Sequence, residues 1–199
     1  MKKIILALCS LLLCFSNCGH AQNNNIKKGN ETMANEKIDL KGKKVLVAYF
    51  SWTGNTKAVA EEIARLTGAD TYRIDAREPY EGSYEEVAYG RAKKEWEDGI
   101  EPAVADTLLT LNDYDVIFVG SPVWWHQSAM VVHSFLHIKD YHFDGKVVIP
   151  FCTYADTYGK ETNADIINLT PHSIHAEGYL SQNADVKGVS AWLQRIIKM

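Results

Sequence analysis

Three short runs of almost unbroken apolar residues constrain the fold of this chain more than any other feature: 44–50 (KVLVAYF), 115–120 (DVIFVG) and 146–151 (KVVIPF). Each is too short for a buried helix and lacks the alternation of a strand with one wet face, so each predicts a strand covered on both sides. Covered strands need helices between them. Over 55–66, Val59, Ile63 and Leu66 recur at helical spacing, with Glu61, Glu62 and Arg65 turned away and Gly68 as the stop. A second helix is expected over 128–138 and a last one over 186–197, where Val189, Trp192, Leu193 and Ile196 share a face. Modest strands at 71–74 and 173–176 complete the set. This alternation implies parallel strands joined by right-handed crossovers. The expected fold is an α/β three-layer doubly wound sandwich around a five-stranded parallel sheet in the order 2-1-3-4-5. Segment 79–99 follows no simple period and carries Tyr80, Tyr84, Tyr89 and Trp96 among many charges.

The amino terminus reads as a leader. Lys2 and Lys3 precede an apolar stretch over 4–15 that is too short to span a bilayer, and Gly19-His20-Ala21 forms a small-x-small cleavage site ahead of Gln22. Residues 1–21 are expected to be a signal peptide, with the protein exported to the periplasm or secreted; the alternative is a lipoprotein anchored through Cys18. Residues 22–40, rich in Asn and Lys, are expected to be a flexible linker, and 41–199 the folded domain. Three of the four cysteines fall in the leader, so the mature chain keeps Cys152 alone and builds no internal disulfide. No transmembrane span is expected in the mature form. The whole chain is 46% hydrophobic and 23% charged, as in a soluble globular protein. Its net charge of -4 argues against a nucleic-acid partner.

Three loops follow the first, third and fourth strands, and the strand order brings them to one edge of the sheet. The first, Ser51-Trp52-Thr53-Gly54-Asn55-Thr56, offers hydroxyls, an amide and a glycine between a strand end and a helix start. A phosphate placed there meets free backbone N–H groups and the positive end of the helix dipole. A helix cap needs a single such side chain, and this loop has several. Neither G-x-x-x-x-G-K-[ST] nor G-x-G-x-x-G is present, which points to a monophosphate bound without metal rather than a triphosphate or a dinucleotide. The second loop, Gly120-Ser121-Pro122-Val123-Trp124-Trp125, places two large rings at a strand end, where something should cover them. The third is Thr153-Tyr154-Ala155-Asp156-Thr157-Tyr158-Gly159.

The stretch from Tyr49 to Thr56 resembles the FMN phosphate loop of the flavodoxin family, S/T-x-T-G-N-T. Gly120 to Trp125 resembles the loop of a bacterial flavodoxin-like subfamily in which a Pro-hydrophobic-Trp-Trp run lies against the flavin ring. Pro79-Tyr80, Tyr84, Arg91-Ala92-Lys93 and Pro102 are similar to the same subfamily, and the likeness runs from Lys43 to the C-terminus. The resemblance implies a flavodoxin-like fold and non-covalent FMN. It also implies that Ser51, Trp52, Thr53, Gly54, Asn55 and Thr56 take the phosphate. Pro122, Val123, Trp124 and Trp125 would enclose the ring from one side and Thr153, Tyr154, Ala155 and Tyr158 from the other, with Tyr154 or Tyr158 as the closing aromatic. Ala155-Asp156 stands where relatives frequently carry Gly-Gly.

The chemistry so implied belongs to the flavin and needs neither a catalytic side chain nor a metal. It is one-electron transfer to a redox partner protein or two-electron reduction of a small aromatic, quinone-like substrate, and a homodimer is left open. The alternative is an exported binding or interaction module of the same fold that has lost FMN. His126 reads as a solvent-facing residue tolerating an unusual backbone angle. His133 and His137, one turn apart, read as a solvated helix face rather than metal ligands, and Cys152 as a small buried hydrophobe.

Overall fold

A computed structural model describes residues 37–108 and 110–198. The expected signal peptide, with the lipid-anchor alternative at Cys18, and the linker up to residue 36 lie outside the described residues. Strand β1 (Ile38–Asp39) precedes β2 (Val45–Tyr49), which α1 (Asn55–Thr67) joins to β3 (Asp70–Arg73). A π-helical stretch (Glu85–Ala92) runs directly into α2 (Lys93–Asp98). Strand β4 (Val116–Trp124) folds back into a short β5 (Gln127–Ser128) ahead of α3 (Met130–Leu136). Then come β6 (Val147–Tyr154), α4 (Gly159–Leu169), β7 (Ile174–His175), β8 (Tyr179–Gln182), α5 (Val189–Ile196) and β9 (Ile197–Lys198).

The main sheet runs β3-β2-β4-β6, with β7 and β8 sharing the far edge beside β6, and all of these pairings are parallel. With β7 and β8 taken as one interrupted strand, this is the expected 2-1-3-4-5 order. All of β2 is buried, and its side chains alternate between two core halves. Val45, Val47 and Tyr49 meet Val59 and Ile63 of α1 and Trp192 and Leu193 of α5. Leu46 and Ala48 join Val131, Val132 and Phe135 of the α3 layer and Ile166 of α4. Burial on both faces is why the strand has no polar alternation.

Two features depart from the expected elements. Helix α4 was not expected, because its buried face is built partly of Thr162 and Asn163 beside Ile166, and polar residues in that stripe hide the amphipathic pattern. The edge strand, expected over 173–176, is broken into Ile174–His175 and Tyr179–Gln182. The break lies opposite Pro150. The carbonyl of Lys146, the residue just ahead of β6, accepts from Ile174, so the Pro150 backbone four residues on also faces this edge, where proline has no N–H to give. At the other end, Ile38 pairs with Ile197, and Ile38 and Leu40 pack on the core. Residues 38–40, expected to be linker, thus pack with the domain.

Candidate functional site

The loops after β2, β4 and β6 meet at the carboxyl edge of the sheet and enclose a cavity of about 360 Å³, within the roughly 300–1,000 Å³ of small-molecule sites. The first loop forms one end of it. Gly54 begins α1 with φ 94, and no side chain among the described residues caps that helix, so its first N–H groups are open to an outside acceptor. Ser51 is 1% exposed, and its buried hydroxyl has no hydrogen-bond partner among the described residues. An unpaired buried hydroxyl is costly unless something completes it, and an anion seated at the α1 terminus would do so. The Thr56 and Thr153 hydroxyls share a 2.8 Å hydrogen bond that ties the first loop to the third. From β3, Arg73 donates to the Ser51 carbonyl at 3.0 Å and to Asp75 at 2.8 Å, which fixes the loop from outside. The sequence reading missed Arg73, since a lone strand-end arginine carries no signal.

The second loop is more strand than loop. Gly120, Ser121 and Pro122 stay in register with Phe151, Cys152 and Thr153. A Cβ on Gly120 would fall 2.1 Å from the Phe151 ring, so only glycine fits that crossing. Val123 and Trp124 then pair with Ser128 and Gln127, leaving Trp125-His126 as a two-residue turn with φ 48 and 72. Such a turn needs positive φ at both positions and normally takes Asn-Gly. For other residues this backbone costs about 1–2 kcal/mol each. Both rings are anchored. Trp125 donates its indole N–H to the Ala88 carbonyl at 2.7 Å and stacks on Trp96 at 5.6 Å, while His126 stacks on Tyr158 at 3.9 Å. Trp124 points inward, edge-on to Phe50 at 5.1 Å and Tyr80 at 4.9 Å.

The π-helical stretch and the residue before it add Tyr84, Ala88 and Tyr89 to the cavity wall. Tyr84 and Tyr89 are 65% and 53% exposed. π-Helical turns are rare and recur at functional sites. This one is welded to the preceding loop. Arg91 sits 4.0 Å over the Tyr80 ring, donates to the Glu78 and Pro79 carbonyls and pairs with buried Glu95 at 2.7 Å. Tyr80 donates to the same carboxylate at 2.7 Å; burial, with the Glu95 hydrogen bond and charge, pushes its phenol far upward, so it stays a neutral donor. Trp52 donates to the Tyr80 carbonyl at 2.9 Å, linking this unit to the first loop.

Of the residues read as the site, Ser51, Trp52, Thr53, Asn55 and Thr56, then Pro122, Val123, Trp124 and Trp125, then Thr153, Tyr154 and Ala155 all line the one cavity. Gly54 shapes the backbone without lining it. Tyr158, at φ 66, does not face the cavity; it stacks on His126 beside the mouth, and Asp156 is exposed away from the lining. Tyr84, Ala88, Tyr89, His126 and Asn183 line it as well. Exposed His126 has the unusual backbone angle anticipated for it.

The pair His133 and His137 is not the solvated face expected. His133 is buried, with Nε2 2.9 Å from an Asp165 oxygen, and only His137 is exposed, paired with Glu101 at 2.8 Å. The correction follows from α4, unseen in the sequence, which packs against α3 and brings Asp165 to His133. Ser128 donates to the same Asp165 oxygen through its backbone N–H (3.1 Å) and hydroxyl (2.5 Å). Burial alone would raise the Asp165 pKa; the His133 and Ser128 hydrogen bonds outweigh it and hold the carboxyl below its usual range. Cys152 is buried, its thiol donates to the Gly159 carbonyl at 3.2 Å, and burial pushes its pKa up to about 12. Among the described residues no group of three or more His, Cys, Asp or Glu side chains is placed to hold a metal ion, and no helix is long and apolar enough to cross a membrane.

Fold and site together define a small doubly wound α/β domain with an uncharged anion cradle and an aromatic wall at the carboxyl edge of its sheet. Residues 44–196 match the family described as flavodoxin, and the chain belongs to that family. Among solved structures it is similar to a protein of Bacteroides eggerthii DSM 20697 described as a flavoprotein, with 31% identity over 77% of this chain and 98% of that one and a TM-score of 0.69. A protein of Bacteroides uniformis ATCC 8492 with the same description gives 29% identity, 76% and 98% coverage and a TM-score of 0.68. A flavoprotein of Lactobacillus acidophilus NCFM, solved in complex with FMN, shares the fold at 24% identity, 75% and 98% coverage and a TM-score of 0.60. No curated protein matches the sequence.

Proposed function

We propose that this protein is an exported redox protein that holds FMN non-covalently in the cavity. The observation that carries the reading is the buried, unpartnered Ser51 hydroxyl beside the uncapped start of α1. A phosphate monoester supplies the acceptors both lack. Ser51, Thr53 and Thr56 hold that phosphate by hydrogen bonds, without a cation or a metal. Trp124 and Trp125 on one side and Tyr154 on the other orient the flat ring and exclude water from its faces. When bound, FMN supplies one-electron and hydride transfer, and the protein contributes binding and orientation. The exposed rings of Tyr84 and Tyr89 flank the open mouth and suit a small, flat, quinone-like acceptor taking two electrons. A second reading, delivery of single electrons to a basic partner protein, draws on the net charge of -4.

The test is a titration of the purified domain with FMN, followed by quenching of flavin fluorescence, against the triple variant Ser51→Ala, Thr53→Ala, Thr56→Ala. Saturable quenching in the wild type that the variant loses is expected. Absence of binding at near-millimolar FMN would sink the flavin reading and leave a cofactor-free exported module. Export is checked by fractionating cells that express the full chain, with retention in the cytoplasm as the contrary result.

A further inference from the structure

The turn that presents the tryptophans is left-handed at two consecutive residues, neither of them Gly, Asn or Asp. Such a backbone persists only where its surroundings over-determine it. The turn itself is held on its first side by the Trp125 indole, which donates to the Ala88 carbonyl. Its second arm ends at Ser128, which is buried and directs both its backbone N–H and its hydroxyl to Asp165 Oδ2 at 3.1 and 2.5 Å. His133 Nε2 completes that oxygen at 2.9 Å. Asp165 lies on α4, the helix that begins where the third loop ends, so this one carboxylate ties the tryptophan hairpin to the element carrying the opposite wall.

We infer that Asp165 is the positioning residue of the tryptophan wall: by holding Ser128 it keeps the strained Trp125-His126 turn in the conformation that lines the cavity. Asp165 touches neither the cavity nor any bound group, so it acts through the hairpin alone. Its effect on FMN rests on the proposed function, whereas its effect on the hairpin does not.

The test compares wild type, Asp165→Ala, Ser128→Ala, His126→Gly, and Asp165→Ala combined with His126→Gly. The readouts are the FMN dissociation constant and, in FMN-free protein, hydrogen exchange across residues 121–129. Asp165→Ala should speed exchange in that segment and weaken FMN binding by about tenfold, the scale of one lost charge-assisted hydrogen bond. Glycine at position 126 takes positive φ without strain, so the combined variant should bind FMN to within about threefold of His126→Gly alone, a rescue that general loss of stability does not produce. Ser128→Ala keeps the backbone donor and should shift both readouts the same way by less; it decides the matter if Asp165→Ala does not fold. Unchanged hairpin exchange in both single variants, or a combined variant that binds as weakly as Asp165→Ala, overturns the inference. A wild type that takes up no FMN defeats the flavin reading, and the exchange data then judge Asp165 by themselves.

Discussion

The phosphate cradle and the tryptophan hairpin face one cavity but are built on opposite terms. The cradle is local: consecutive residues from the end of β2 to the start of α1, with glycine at the left-handed position and donors supplied by a helix end. The hairpin puts its left-handed positions on Trp125 and His126 and depends on distant partners, Ala88 at 37 residues' separation and, through Ser128, Asp165, also 37 away. Gripping an anion asks for donors that one contiguous loop and its helix end supply together, so strain there would serve nothing. Setting rings against a flat ligand asks for particular side chains at particular points, and the chain keeps them where the backbone disfavours them.

Substitutions at and behind the turns break or sharpen this contrast. The largest effect is expected at the root of the hairpin, where Gly120→Ala drives a methyl into the Phe151 ring; overpacking of this kind costs about 3 kcal/mol in urea denaturation. Stability equal to wild type would show that β4 and β6 do not fix the hairpin's base as tightly as the 2.1 Å approach requires. Next, Asp165→Ala should cost about 2 kcal/mol at neutral pH, and the deficit should vanish in acid. The folded-state pKa of Asp165 is depressed, so its contribution is complete above the unfolded value of about 3.9 and is lost as pH falls through the folded value. A deficit that persists in strong acid would locate the effect in packing rather than in the carboxylate.

Smaller effects of opposite sign are expected at the two turns themselves. Gly54→Ala, forced to φ 94, should lose about 1 kcal/mol and weaken FMN binding. His126→Gly should gain about 0.5 kcal/mol, because relief of the left-handed backbone exceeds the stacking lost on Tyr158. Calorimetry on the pair reads both, and two changes of the same sign would dissolve the distinction between the loops.

How far the sequence revealed the molecule follows the same divide. Runs 44–50, 115–120 and 146–151 became β2, β4 and β6 because strands covered on both faces leave a continuous apolar record. Ser51 to Thr56 was readable because the cradle is contiguous. Tyr84, Ala88 and Tyr89 were not placed at the cavity, since a π-helical turn breaks the 3.6-residue rhythm that marks a face. Asn183 reaches the site from a left-handed turn beyond β8, which leaves no trace in local pattern. Pro122 to Trp124, read as loop, lie on a strand because β4 continues alongside β6 and then folds back into β5. Asp165 was invisible because α4 was: its meaning depends on which helix it stands on and what that helix packs against.

The short β1 strand has a consequence for orientation. It stands one turn ahead of the start of β2 and pairs with β9 at the close of α5. The chain therefore joins the domain by the amino ends of the sheet strands, while the cavity opens at their carboxyl ends. Chain entry and ligand entry thus use opposite ends of the sheet, and the backbone that leads into β2 leaves the aromatic mouth unobstructed.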